Sequence, residues 1–271
     1  MDYLYHYTSI ETLALILSNR KIRLNRLDKV DDPQEQISKE ISDMGKLVFV
    51  SSWTDDCEES IPMWKMYGSL ESGVRIKLRK YPFEEKAPSA SELQGIPGII
   101  VEESQETTLS KTVISVADMF KRKYTVPGLI QQKDMLFKVE YTKDIDKLCP
   151  SVLSMDGEAV IIATNKMGKY KNTHWAFQRE WRYILPIYPF DSIDIENHEQ
   201  NLTKMRQGIL KGTIKQHVEY HDLTIDHEAF SDMEITMSPR ISAGNRVILR
   251  TLIEKYNPNA KILESSLLGL L

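Results

Sequence analysis

The run KLVFVSSW, residues 46–53, constrains the fold of this chain more than any other segment. Leu47, Val48, Phe49 and Val50 follow one another without a polar break and are then closed by Ser51 and Ser52. An apolar run of this length, rich in β-branched and aromatic residues, reads as a buried strand. Its hydroxyl-bearing end predicts that the strand emerges from the core at the edge of a cleft.

The rest of the pattern mixes strands and helices. GVRIKL (73–78) alternates as a strand does, and MLFKVEYT (135–142), REWRYILPIY (179–188) and EITMSP (234–239) supply three more candidates. Thr8 and Glu11 form a capping box ahead of a stripe of Leu13, Ile16 and Leu17 that stops near Asn19. Asp32 and Pro33 read as a turn before a short helix. Pro62 suits the first turn of another, with Met63, Trp64 and Tyr67 on one face and Gly68 ending it. NRVILRTLIEKY (245–256) is a helix with Asn245 as its cap. A loop-like stretch at 81–91 and a helical face in 109–120 predict a helical insertion over 81–134. The strands and helices follow no regular β–α period and there is no internal repeat, so residues 1–271 are expected to form one elaborated α+β domain.

Composition excludes several classes. With 41% hydrophobic and 27% charged residues, the 271-residue chain is not disordered as a whole. Its formal charge of -4 provides no overall field for a polyanion, although a local basic groove stays open. Cys57 and Cys149 cannot build a disulfide framework or a thiolate-rich zinc site, which points to a reducing compartment. The opening MDYLYHYTSIETLALIL lacks a basic leader and an apolar stretch of membrane-spanning length, so a cytoplasmic protein without a membrane partner is expected. No P-loop, dinucleotide glycine fingerprint, HExxH, GxSxG or CxxC motif is present. His217 and His221 have the spacing of a helical metal pair, but IKQHVEYHDLTIDH does not read as a helix, and no metal site is expected there or at His227. Glu58 and Glu59 belong to a charged run that reads as a solvated loop. The strip 166–182 interleaves five Lys or Arg with two Trp, one Phe and one Tyr. Such a strip either holds phosphates and stacks bases or lays basic stems over a partly buried edge.

Three segments together resemble the bacterial domain-of-unknown-function family 2971. They are LYHYTSIETLALILSNRKIRLNRLDKVDDPQE, FVSSWTDDCEESIPMWKMYGSLESGVRIKL and WAFQREWRYIL, and ITMSPRISAGNRVI resembles its late segment. That family is distantly similar to ADP-ribosyltransferases of the histidine, tyrosine, glutamate class. The resemblance implies a split, curved mixed β-sheet around a cleft for NAD, which is consumed as a substrate. It makes His6 the residue that orients the nicotinamide ribose, Tyr67 the ring that stacks on nicotinamide, and Glu180 the catalytic carboxylate. Thr8, Ser51, Ser52 and Arg182 would complete the binding site. Gln178 and Glu180 resemble a Q-x-E pair of protein-modifying members, but the family carries glutamate at the place of Gln178, which leaves the acceptor open.

The residues admit these roles and plainer ones. Breaking the nicotinamide glycosidic bond builds positive charge on the ribose, which a nearby carboxylate opposes. On a strand from residue 179, Glu180 and Arg182 share a face, so the two form either a structural pair or a site in which Arg182 supports the carboxylate or a diphosphate. His6 either donates to a ribose hydroxyl or bonds a loop carbonyl, and Tyr67 is either an aromatic platform or core. Ser51, Ser52 and Thr8 either orient a ligand or satisfy strand-end and helix-cap groups. The expected function is therefore mono-ADP-ribosyl transfer from NAD to an unidentified protein or nucleic acid, or to water, chemistry that fits phage defence or a toxin. The alternative is a non-catalytic nucleotide or nucleic-acid binding module.

Overall fold

The computed structural model describes residues 2–88, 111–157, 159–189 and 198–271. Among these residues nine strands make the main sheet: β1 (Tyr3–Ser9), β2 (Lys21–Arg26), β3 (Val48–Thr54), β4 (Gly73–Arg79), β5 (Leu136–Lys138), β6 (Glu180–Pro186), β7 (Tyr220–Thr224), β8 (Glu234–Met237) and β9 (Lys261–Leu263). The longer helices are α1 (Ile10–Asn19), α2 (Val116–Arg122), α3 (His198–Leu210) and α4 (Ala243–Tyr256). Among the described residues, no helix is long and apolar enough to cross a membrane.

The sheet runs β7–β2–β3–β1–β4–β8–β9, and β6 pairs with β3 and carries β5 beyond it. Only β8 and β9 pair in parallel; the other ladders of this sheet are antiparallel. The α+β class stands, but the expected split, curved sheet does not. The sheet is mixed and open, neither closed nor curled, with β7 at one end and β9 at the other. Alternation within a segment reports that it is a strand and which face it buries, whereas strand partners are set by contacts far apart in sequence.

The 46–53 run becomes β3, the strand about which the site is built. β6 follows its whole length, from Glu180 opposite Thr54 to Pro186 opposite Val48. The other edge is shared: β2 pairs at Phe49 and Val50, and β1 at Thr54. Residues 51–53 have no ladder partner on that edge. On one face of the sheet Phe49, Trp53, Tyr183 and Leu185 join Leu4, Ile76 and the buried side of α1 in the larger core. Val48, Val50 and Ile184 face the opposite way, into a smaller core with Leu27, Met44 and Met167.

Several local expectations shift. Thr8 lies inside β1 opposite Val74, and Ser9 caps α1 by accepting from Thr12 N at 3.2 Å, because β1 runs straight into the helix. Ser242 rather than Asn245 caps α4 and accepts from Asn245 N at 3.2 Å. The 109–120 face is realised as α2, and residues 89–110 of the expected 81–134 insertion lie outside the described residues. β2 and β7 go beyond the sequence expectations, although Ile22 and Leu24 of β2 are buried in strict alternation with exposed Lys21, Arg23 and Asn25.

Between β3 and β4 a short helix at Ile61–Met63 widens into a π-type turn, Trp64–Gly68. Trp64 is fully buried and donates through Nε1 to Glu59 at 2.9 Å, which anchors the turn and sends Tyr67 the other way. Gly73 makes this fit possible: a Cβ there would stand 2.1 Å from the Gly68 carbonyl oxygen and 2.5 Å from that of Ser69. Gly73→Ala is therefore expected to destabilise the protein by about 1–3 kcal/mol through overpacking against backbone. A thermal melt should fall by about 2–4 °C per kcal/mol. An unchanged melt would mean that the turn yields freely and does not hold Tyr67.

Candidate functional site

Where β1 and β2 part along the edge of β3, a cleft of about 500 Å³ opens. His6, Ser51, Ser52, Tyr67, Gln178 and Glu180 all line it, so three distant segments meet in one place. Thr8 and Arg182 are not among its lining residues. Thr8 is buried within β1, and Arg182 stands behind Glu180.

Each side chain is held by an identifiable contact. His6 sits beside the unpaired edge of β3, and its Nδ1 lies 2.8 Å from the Ser52 carbonyl oxygen. A carbonyl only accepts, so Nδ1 carries the proton. Burial lowers the imidazole below its ordinary pKa despite this bond, which keeps the ring neutral. Nε2 is then an acceptor. Of the two roles open to His6 the bond to a backbone carbonyl is formed, to Ser52 of β3 rather than to a loop, and Nε2 can meet a hydroxyl only by accepting from it. Trp53 packs against the ring with centroids 5.0 Å apart. Ser51 and Ser52 point to opposite faces of β3. The Ser51 hydroxyl accepts from Trp53 Nε1 at 3.1 Å, while Ser52, itself exposed, lies opposite Arg182 on the face that carries the smaller core.

Glu180 begins β6 and is 4% exposed. Arg182 Nε donates to one of its carboxylate oxygens at 2.6 Å and Lys171 Nζ to the other at 3.3 Å. Burial by itself would raise its pKa, but the two cations outweigh it and hold the carboxyl below the usual range. Arg182 also forks onto Glu35, with Nη2 donating at 3.0 Å, and its Nη1 reaches the Gly168 carbonyl at 3.2 Å. Burial opposes its charge, yet Glu180 and Glu35 keep the guanidinium more firmly protonated than normal. The pairing of Glu180 with Arg182 predicted from strand alternation is thus realised. Glu35 and Asp31, next to the Asp32–Pro33 turn, were not legible as its partners.

Tyr67 lines the cleft rather than the core, the core position being taken by Trp64. Its hydroxyl donates to Asp31 and accepts from Gln178 Nε2 at 2.5 Å. Burial and the Asp31 carboxylate together push the phenol well above its ordinary pKa. The Gln178 carbonyl oxygen accepts from Lys171 Nζ at 2.9 Å, and that ammonium lies 3.7 Å from Asp31. Lys171, Gln178, Tyr67 and Asp31 therefore close a ring of polar contacts. Gln178 is oriented by it, since only its amide can donate to the phenol oxygen while its carbonyl faces the lysine.

This arrangement gives the strip 166–182 a different character from a phosphate-binding surface. Lys171 is 1% exposed and Arg182 is equally buried, both within the ion cluster. Arg179 is tied to Asp55 and Asp56 at 3.1 and 3.0 Å, Lys166 donates to the Ser151 carbonyl, and Lys169 lies over the Phe137 ring. His221 is a strand residue of β7, buried beside Arg122. Burial first and then the guanidinium lower it to about 4. No group of metal-ligating side chains occurs among the described residues.

Removing Arg182 leaves the buried carboxylates of Glu35 and Glu180 with Lys171 as the cation they share. Arg182→Met is expected to cost about 3–5 kcal/mol at neutral pH in urea unfolding. Because the folded-state pKa of Glu180 is depressed, its stabilising contribution is complete above the unfolded carboxyl value of 4.5 and is lost as pH falls through the lower folded value. The deficit of the variant should therefore shrink on acidification below that range. A deficit independent of pH would show that packing, not charge, is what Arg182 supplies.

Comparison with protein-family models, with curated proteins and with solved structures finds no match for this chain.

Proposed function

We propose that the cleft binds NAD and that the protein transfers its ADP-ribosyl group, releasing nicotinamide, to a nucleophile on a protein, on a nucleic acid or in water. The observation that carries this reading is the meeting of His6, Tyr67 and Glu180 around one cleft of about 500 Å³. Its support lies in the cleft and not in the sheet, whose open form differs from the one the family resemblance implied.

In this reading the Tyr67 ring forms a wall for the nicotinamide, since its hydroxyl is already engaged by Asp31 and Gln178. The neutral His6 accepts from a ribose hydroxyl through Nε2. Glu180, kept ionised by Arg182 and Lys171, opposes the positive charge that grows on the ribose as the glycosidic bond breaks. The carbon–nitrogen bond to nicotinamide breaks with its electron pair going to the leaving ring. A bond to the acceptor forms, and the acceptor's proton goes to solvent.

Nicotinamide release from NAD tests the reading directly. The wild-type protein should release it, Glu180→Gln should slow the rate by about 10²–10³-fold, and Tyr67→Phe, which keeps the ring, should lose far less. Circular dichroism must show both variants folded. No release by the wild-type protein with protein, nucleic acid or water as acceptor would remove the transferase reading.

A further inference from the structure

The ion cluster occupies only one end of the cleft. From there the wall continues along β2, whose exposed face contributes Asn25, Arg23 and Lys21 to the lining. Asn25 stands opposite Val50, one residue before the unpaired edge of β3, and Lys21 stands opposite Thr224 at the far end. At about 3.3 Å per residue, the four steps between them extend the wall by roughly 13 Å. A riboside seated at Glu180 leaves this stretch uncovered, whereas a diphosphate attached to it reaches along it.

The charges along the wall are arranged unequally. At the Glu180 end, the carboxylates of Asp31, Glu35 and Glu180 outnumber the cations of Lys171 and Arg182. At the other end, Asp222 holds Arg23 through Nε at 2.9 Å and Nη2 at 3.1 Å, and the guanidinium stacks on Tyr220 at 3.4 Å. These contacts fix the Arg23 plane and leave Nη1 without a hydrogen bond among the described residues. Among the described residues Lys21 makes no ion pair and the Asn25 amide makes no hydrogen bond. The cleft thus carries an acidic end and, along β2, three unsatisfied donor groups, one of them an uncompensated cation.

We propose that Lys21, Arg23 and Asn25 are the subsite for the diphosphate of a nucleoside diphosphate, which selects a diphosphate-bearing nucleotide over the bare nucleoside. The inference rests on the proposed function for what lies at the Glu180 end, but the subsite itself depends on β2. Lys21 supplies the point charge, Arg23 a pre-oriented donor and Asn25 a neutral donor next to the ribose position.

Calorimetric titration of the wild-type protein with ADP-ribose, ADP and adenosine tests this, together with the folded variants Lys21→Met and Lys21→Arg. ADP-ribose and ADP should bind, adenosine at least tenfold more weakly. Lys21→Met should weaken ADP-ribose roughly tenfold and Lys21→Arg should restore most of the loss. Added salt should weaken binding more for the wild-type protein than for Lys21→Met. Equal affinity of Lys21→Met and the wild type for ADP-ribose, or equal affinity for adenosine and ADP, would overturn the subsite. So would failure of the wild type to bind ADP-ribose. Its fate separates from that of the transferase reading. Lys21-dependent binding without nicotinamide release keeps the subsite and removes the transfer, whereas release with the same KM for NAD in Lys21→Met does the reverse.

Discussion

The structure around the cleft depends on the burial of Arg182 between Glu35 and Glu180. The guanidinium ties β6 to the turn after β2, and Lys171 joins the same carboxylates from a third segment. Withdrawing these charges from water costs more than apolar packing of the same volume would, so a cluster of this kind is a poor way merely to stabilise a fold. Its specific effect is on Glu180. A carboxylate at this depth would ordinarily gain a proton, but two adjacent cations keep it charged. The outcome is a negative group that is desolvated, fixed in direction and still at the surface of a cavity, the condition under which electrostatic interaction with a ligand is strongest.

The cavity exists because of how β3 is paired. Its edge toward β6 is satisfied along its length, while its other edge is divided between β2 and β1. The carbonyl of Ser52 falls in the interval and is taken by His6 instead of by a strand neighbour. A backbone group that needs a partner therefore also determines which imidazole nitrogen faces the cleft. The hydroxyl-ended strand read from the sequence marks this place, since polar residues are tolerated only where the ladder and the core both give way.

What the sequence made legible followed from local periodicity. β3, β4 and β6 stand out through apolar runs or alternation, and the placing of Glu180 and Arg182 on one face needed only the two-residue period of a strand. Helix caps moved by a residue or more where two hydroxyls competed, as with Thr8 and Ser9, because the end of β1 decided between them. β2 does not stand out although Ile22 and Leu24 alternate with polar residues, since only two apolar positions carry its signal. Asp31 and Glu35 were hidden in a turn, and nothing local distinguishes an acid that will be buried against a distant arginine from one that will remain in water. The open sheet was likewise beyond local pattern, because strand order is set by partners well separated along the chain.

The closed circuit of Lys171, Gln178, Tyr67 and Asp31 links two walls of the cleft that would otherwise be separate. An occupant that tilts the phenol must also take a partner from the glutamine amide, and the glutamine cannot turn without loosening the ammonium beside Glu180. The phenol and the carboxylate are thus coupled through Gln178 and Lys171, while Arg182 holds Glu180 from outside that circuit. Perturbations at either should propagate to the other, so that paired substitutions there report cooperation rather than a sum.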